Sequence, residues 1–409
     1  MNYSLGNMLG GAGALNADKL SLDLQFATDK TLTARKGPTP TFTRASTATF
    51  VGSNGLIQSA AINAARFDHD PVTLACKGLL IEEARTNLIL NSGNATLWTF
   101  SGTNEGSLTA PDGTSNGLRA GLGTTTLTPN GVATVSSTAY TMSVFLKRDN
   151  TDWIRLQYNH AINTNTLNAW FNLSTGQAGS LAIGVGTVTS ISSSITNAGN
   201  GWYRCTVTGT VPSVGTLTLN VISATADSSV TRVAGSIYGV WGAQLEAGSF
   251  PTSYIPTVAS SVVRSADVCS ITGASFTSFY NQSEGTVIVN GDSAGASGSR
   301  WCGTGPIRAF ELYGKTSLVY FESSGVSENT IGAISLPTKF GLACKLNDFQ
   351  GVRNGTLGGA DTNATMPSPT TFHIGNLLGA SSWLNGCIVS IRYYRKRLTN
   401  AKLQSLTAP

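Results

Sequence analysis

Between residues 88 and 258 one local pattern keeps returning. Apolar and polar side chains alternate for six to nine residues, and a turn rich in Gly, Ser, Thr or Asn follows. Clear runs are 140–146, 153–158, 168–173, 202–207, 216–221 and 238–246, and strand signals come about every 10 to 15 residues. Alternation with period two sends successive side chains to opposite faces, which is the signature of half-buried strands. No helical period of useful length lies between the runs. Regularly spaced strands joined by turns predict an all-β jelly roll or sandwich.

Composition decides between such a fold and a disordered polar chain. Charged residues are 11% of the 409, well below the usual quarter, and hydrophobic residues are 41%. Disorder needs high charge and few aromatics. This chain has the opposite balance, with 46 glycines to serve its turns.

Residues 271–409 are strand-rich again, in runs such as 285–289, 309–313, 318–321, 340–344 and 387–393. Thr399 is placed to cap a short closing helix through Leu406. A polar connector at 258–270 separates the two strand-rich regions. The first 88 residues read differently. A Gly-rich leader around Gly10–Gly13 is followed by an alternating stretch, Leu20-Ser-Leu-Asp-Leu24, and a turn-rich segment through Pro38 and Pro40. No long-period repeat is present, which disfavours a solenoid or propeller.

Several function classes are disfavoured. The net charge is only +5, and the one dense basic run, Arg392–Arg397, reads as the solvated exit of a last strand. Nucleic-acid binders concentrate Lys and Arg into patches, so no nucleic-acid partner is expected. No apolar segment approaches 18 residues, so no membrane insertion by a helix is expected. Met1–Asn16 lacks the basic and apolar stretches of a secretory leader. The six cysteines are widely spaced, with no C-x-x-C, and are expected to be buried free thiols rather than metal ligands.

Catalytic motifs fare no better. Glu82 and Glu83 are adjacent, and neighbours on an extended chain face opposite ways, which makes a poor glycosidase pair. Gly113-Thr-Ser-Asn-Gly117 matches G-x-S-x-G but follows turn chemistry instead of a strand. Asp68-His69-Asp70 is read as a surface turn with a locally hydrogen-bonded imidazole. The acids of the C-terminal region, Glu284, Asp292, Glu311, Glu322, Glu328, Asp348 and Asp361, are too dispersed to predict calcium. No cofactor, metal or catalytic residue is assigned.

One constellation does suggest binding. In Trp153–Tyr158, Ile154, Leu156 and Tyr158 share one face, and Trp153, Arg155 and Gln157 share the other. In Ala169–Leu173, Ala169, Phe171 and Leu173 face inward, which turns Trp170 and Asn172 outward. A hairpin between these strands would set Trp153, Arg155, Gln157, Trp170 and Asn172 side by side. Aromatic faces beside guanidinium and amide groups suit a sugar, whose C–H faces pack on rings and whose hydroxyls pair with planar polar groups. An outward Trp can equally pack on a neighbouring domain or subunit, and that alternative stays open. Trp301 and Trp383 are the reserve candidates.

Longer strings carry a resemblance. Phe42–Phe50, Arg66–His69 and Gly78–Leu88 resemble the N-terminal module of bacteriophage tail-fibre and head-spike proteins. Gly201-Trp-Tyr-Arg204 and Trp241–Thr257 are similar to the carbohydrate-binding-module-like jelly roll of that family. Phe372–Gly375, Leu384–Gly386 and Ile391–Thr399 resemble a concanavalin A or laminin-G-like sandwich. At Asn400, Ala401 and Lys402 the chain lacks the acid that usually follows. The resemblance implies three parts: a virion-attachment module at 1–88, a jelly roll at 89–258 and a second sandwich at 259–409. It implies a virion-surface protein without catalysis, docked on other virion proteins through its N-terminus, touching host surface glycans, and assembled as a homotrimer. A polysaccharide depolymerase and a capsid decoration protein without ligand are the alternatives.

Overall fold

The all-β expectation holds in a computed structural model of the chain. The structure describes residues 19–409 except 101, 122–123, 127–130, 161–163, 293–298, 305–309, 315–317, 322–326, 331–337, 364–365, 367 and 377–381. The Gly-rich leader and the middle of the 159–165 loop therefore lie outside the described residues. Every pairing between the described strands is antiparallel. The closing helix is Asn400–Thr407, and the Thr399 hydroxyl accepts the Lys402 amide at 3.3 Å.

The middle of the chain is a two-sheet sandwich. One sheet runs in the order Thr189–Asn197, Trp202–Thr210, Ala139–Arg148, Ile237–Ala247, Gly117–Gly121, Thr103–Leu108. The other is built on Gln177–Val185, Asn165–Asn172, Trp153–His160 and Gly215–Ala224, extended by short strands. The inward positions of both sheets form one core, including Met142, Val144, Ile154, Leu156, Phe171 and Val207. Alternation explains the choice: Trp153–His160 is buried at every second residue.

The second sandwich overturns the three-part division. Its larger sheet is centred on Gly386–Tyr394, with Glu284–Gly291 along one flank. The other flank is taken by the N-terminal segment: Leu20–Leu24 pairs with residues 391–394, and Cys76–Ile81 pairs with 386–388. Thr41–Thr43 joins the smaller sheet beside Val268–Thr272. Leu22, Leu24, Phe26, Phe42, Leu79 and Ile81 belong to the same core as Val287, Trp301, Phe340 and Ile391. Residues 19–88 are thus no separate attachment module. They complete the C-terminal sandwich, and the jelly roll is an insertion between the two halves. Gly78 marks how closely the halves meet. Its φ is +109°, and a Cβ there would run into the Ile388 carbonyl.

Candidate functional site

The hairpin Trp153–His160/Asn165–Asn172 forms in the expected register, with Trp153 opposite Asn172, Arg155 opposite Trp170 and Gln157 opposite Asn168. Trp153, Arg155, Gln157, Trp170 and Asn172 therefore share the outer face, because Ile154, Leu156, Ala169 and Phe171 are in the core. Gly215–Ala224 extends this face and places Asn220 beside Gln157. A row of amides results. Gln157 Nε2 donates to Asn168 Oδ1 at 3.4 Å, and Asn220 Nδ2 donates to Gln157 Oε1 at 3.2 Å. Arg155 lies on the same face two residues earlier in the strand, and its Nε has no acceptor among the described residues. Burial, with Arg232 nearby, lowers its pKa.

The two tryptophans are not equivalent. Trp170 is only 4% exposed, because its Nε1 donates to the Ser229 carbonyl at 2.7 Å and the 225–232 loop lies over it. The expectation of an open ring at this position is corrected: the face was right and the exposure was not. Trp153 is partly exposed. A Cβ on Gly179 would touch its ring and the Asp227 carboxylate, so one edge of the indole is held by that corner. Of the reserve candidates, Trp301 is core, and Trp383 is tied down by an Nε1 hydrogen bond to the Asp267 carbonyl at 2.8 Å.

A second feature lies where the jelly roll meets the N-terminal segment. A cavity of about 770 Å³ opens there, walled by Phe50, Phe145, Phe250, Asp68, His69 and Arg204. The Asp68-His69-Asp70 stretch is thus no surface turn. His69 is buried, its Nδ1 lies 3.2 Å from the Val51 carbonyl, and its Nε2 has no partner among the described residues. Asp68 accepts the Val51 amide at 2.8 Å and pairs with Lys77 at 3.1 Å, and burial raises its pKa. Only Asp70 behaves as a turn residue, accepting the amides of Val72 and Thr73.

Behind the cavity is a buried ionic network that sequence reasoning missed. Arg66 bridges Glu82 at 2.8 Å and Asp267 at 2.5 Å. Arg44 reaches Asp267 at 3.1 Å, and Arg264 reaches Glu82 at 3.2 Å. Glu82 also accepts the Ser253 amide and hydroxyl at 2.6 and 2.7 Å. Burial alone would raise the Glu82 pKa, but Arg264, Arg66 and Ser253 overcome it and bring the carboxyl down to about 2. Glu83 turns away to Arg85 and Asn385. The two carboxylates are thus divided, as the strand geometry predicted, and Glu82 is consumed by structure.

The remaining motifs are also placed. Gly113–Gly117 is a turn leading into the strand Gly117–Gly121, so the strand-to-helix setting of a nucleophile elbow is absent there. All six cysteines are free, and five are buried. Among the described residues no group of three or more His, Cys, Asp or Glu could hold a metal ion.

No family model and no curated protein matches the chain. Solved structures do. A Ruminococcus gnavus sialidase CBM40 bound to α2,3-sialyllactose aligns at 13% identity and a TM-score of 0.28, over 32% of this chain and 84% of that one. A Trypanosoma rangeli sialidase aligns at 13% identity and TM-score 0.24, over 62% of this chain and half of that one. Domains LG4-5 of the mouse laminin α1 chain align at 7% identity and TM-score 0.24, over 77% and 89%. At these scores none of the likenesses bears on the chemistry of this chain, whose layered β architecture is read from its own strands.

Proposed function

We propose that this protein is a non-catalytic, glycan-binding β protein of a bacteriophage surface, of the tail-fibre or head-spike type. The observation that carries glycan binding is the outer face of the hairpin. There the Asn168–Gln157–Asn220 amide row lies beside Arg155, whose Nε has no acceptor among the described residues, and the partly exposed Trp153 ring. Gln157, Arg155 and Trp153 are the partly exposed members of this face, with Asn168 and Asn220 buried behind them; the amide and guanidinium offer donors and acceptors in fixed planes, and the indole offers an apolar edge. The phage setting is supported by the strings at 42–50, 78–88, 201–204 and 241–257, which resemble that family. Docking to other virion proteins and a three-fold assembly belong to the same reading, since several weak sugar sites acting together gain avidity.

A glycan array and host-cell binding test it. Trp153→Ala should weaken binding about 5- to 30-fold, the worth of roughly 1–2 kcal/mol of lost ring contact. Arg155→Ala should weaken it further. Unchanged binding by both variants, in folded protein, removes this face from the reading. Release of reducing sugar from host polysaccharide would instead identify a depolymerase.

A further inference from the structure

We propose that the cavity between the jelly roll and the N-terminal segment is a second ligand site, which takes a carboxylate-bearing sugar, a hexuronic acid unit. It lies apart from the hairpin face and does not depend on it.

The anchor is Arg204. It sits on the strand Trp202–Thr210, on the side of the sheet that faces the N-terminal segment, in register with Phe145 and Thr196. Its Nη2 donates to the Ser143 hydroxyl at 2.8 Å, and its Nε has no acceptor among the described residues. Its guanidinium lies over the Phe145 ring, 5.5 Å from the centroid. Among the described residues no carboxylate stands within ion-pair distance of it. The two carboxylates whose charge reaches it, Glu246 and Glu82, are each held by other groups: Glu82 by Arg66 and Arg264, and Glu246 by Gln244 and Thr252. A stacked arginine in a cavity wall, short of an anion, is a planar fork for a carboxylate.

The rest of the wall suits a pyranose. Phe50, Phe145 and Phe250 give apolar surface for C–H faces, while Asp68 and Lys77 supply an acceptor and a donor for hydroxyls. His69 adds an imidazole nitrogen, Nε2, that has no partner among the described residues. Concave apolar walls with a few convergent polar groups are the usual make-up of small-ligand sites, and the 770 Å³ volume falls in their size range.

Isothermal titration of the full chain with glucuronate, and with glucose as the uncharged counterpart, tests the assignment. Glucuronate should bind, and glucose should bind at least about tenfold more weakly, the loss of one charge-assisted hydrogen-bonded pair. Arg204→Gln should reduce glucuronate affinity by a similar factor. Trp153→Ala should leave it unchanged, so failure here and failure of the hairpin reading are separable. If Arg204→Gln does not fold, Thr196→Trp carries the test, because it fills the cavity beside Arg204 while keeping the cation. It should abolish glucuronate binding without lowering the melting temperature. A glucuronate-terminated oligosaccharide tested alongside separates a chain end from the free sugar acid as the source. The proposal is overturned if the parent fails to bind glucuronate at millimolar concentration. It is equally overturned if glucose binds as well, or if a folded cavity variant binds glucuronate like the parent.

Discussion

Asp267 shows what one buried residue can hold. Its two oxygens serve Arg44, Arg66 and the Glu82 amide, all inside the protein. Removing one partner from a buried ionic network strands the others without water, which costs about 3–5 kcal/mol. Asp267→Asn should therefore lower the unfolding free energy by that amount, read as a lower denaturant midpoint with an unchanged slope. Glu82 makes the network pH-sensitive. Its carboxyl is depressed from an ordinary 4.5 to about 2 in the folded protein, so the unfolded chain binds the proton first. The stability it contributes should be complete above about pH 4.5 and fade as the pH falls toward 2. A melting-temperature profile of the parent should drop through that window, and Glu82→Gln should flatten the drop. Trp170 belongs to the same scale. Buried and hydrogen-bonded, it should behave as a core residue, and Trp170→Ala should cost about 3–5 kcal/mol of stability. A variant that melted like the parent would restore the open-ring reading.

At the scale of elements, strand runs with one apolar face were legible. The signals at 140–146, 153–158, 202–207 and 216–221 lie within Ala139–Arg148, Trp153–His160, Trp202–Thr210 and Gly215–Ala224. The strands Gln177–Val185 and Thr189–Asn197 were missed. Both sit at sheet edges and stay largely exposed, so neither carries the full inward stripe that makes alternation visible. The strands of the N-terminal segment were misjudged for another reason. Leu20–Leu24 shows its alternation but pairs with residues 391–394, far along the chain, and Phe67–His69, which pairs locally with Cys76–Ile81, is too short for alternation to show. Deleting residues 1–88 should strip one flank of Gly386–Tyr394 and uncover the core around Val287 and Ile391. The expected product is aggregated or strongly binds an apolar dye. A soluble, dye-silent fragment would restore the separate-module division.

At the scale of the whole molecule, the inserted jelly roll is stitched to the sandwich that brackets it. Asn87 is fully buried and makes four hydrogen bonds: to the carbonyls of Ala243 and Ile255, and from the amides of Ile89 and Leu245. Thr49 reaches the Tyr254 carbonyl, and Ser253 reaches Glu82. The string 241–257 is therefore also the seam of the fold. Calorimetry should show one cooperative transition for the parent. Asn87→Ala, which leaves buried backbone groups unpaired, should broaden or split it. Two resolved transitions in the parent would show that the seam does not couple the two bodies.

The all-β class, the positions of strands with one apolar face, the inward and outward faces of the 153–172 hairpin, and the Thr399 cap were all readable from local sequence. Each of these is written in neighbours a few residues apart, where the pleat or the first helical turn acts directly. It took the closed fold to pair Leu20–Leu24 with residues near 391, to bring the Ser229 carbonyl onto Trp170, and to gather Arg44, Arg66 and Arg264 around Glu82 and Asp267. A side chain's face is set by its own backbone, whereas its cover and its charge partners come from segments that reach it only when the chain has closed.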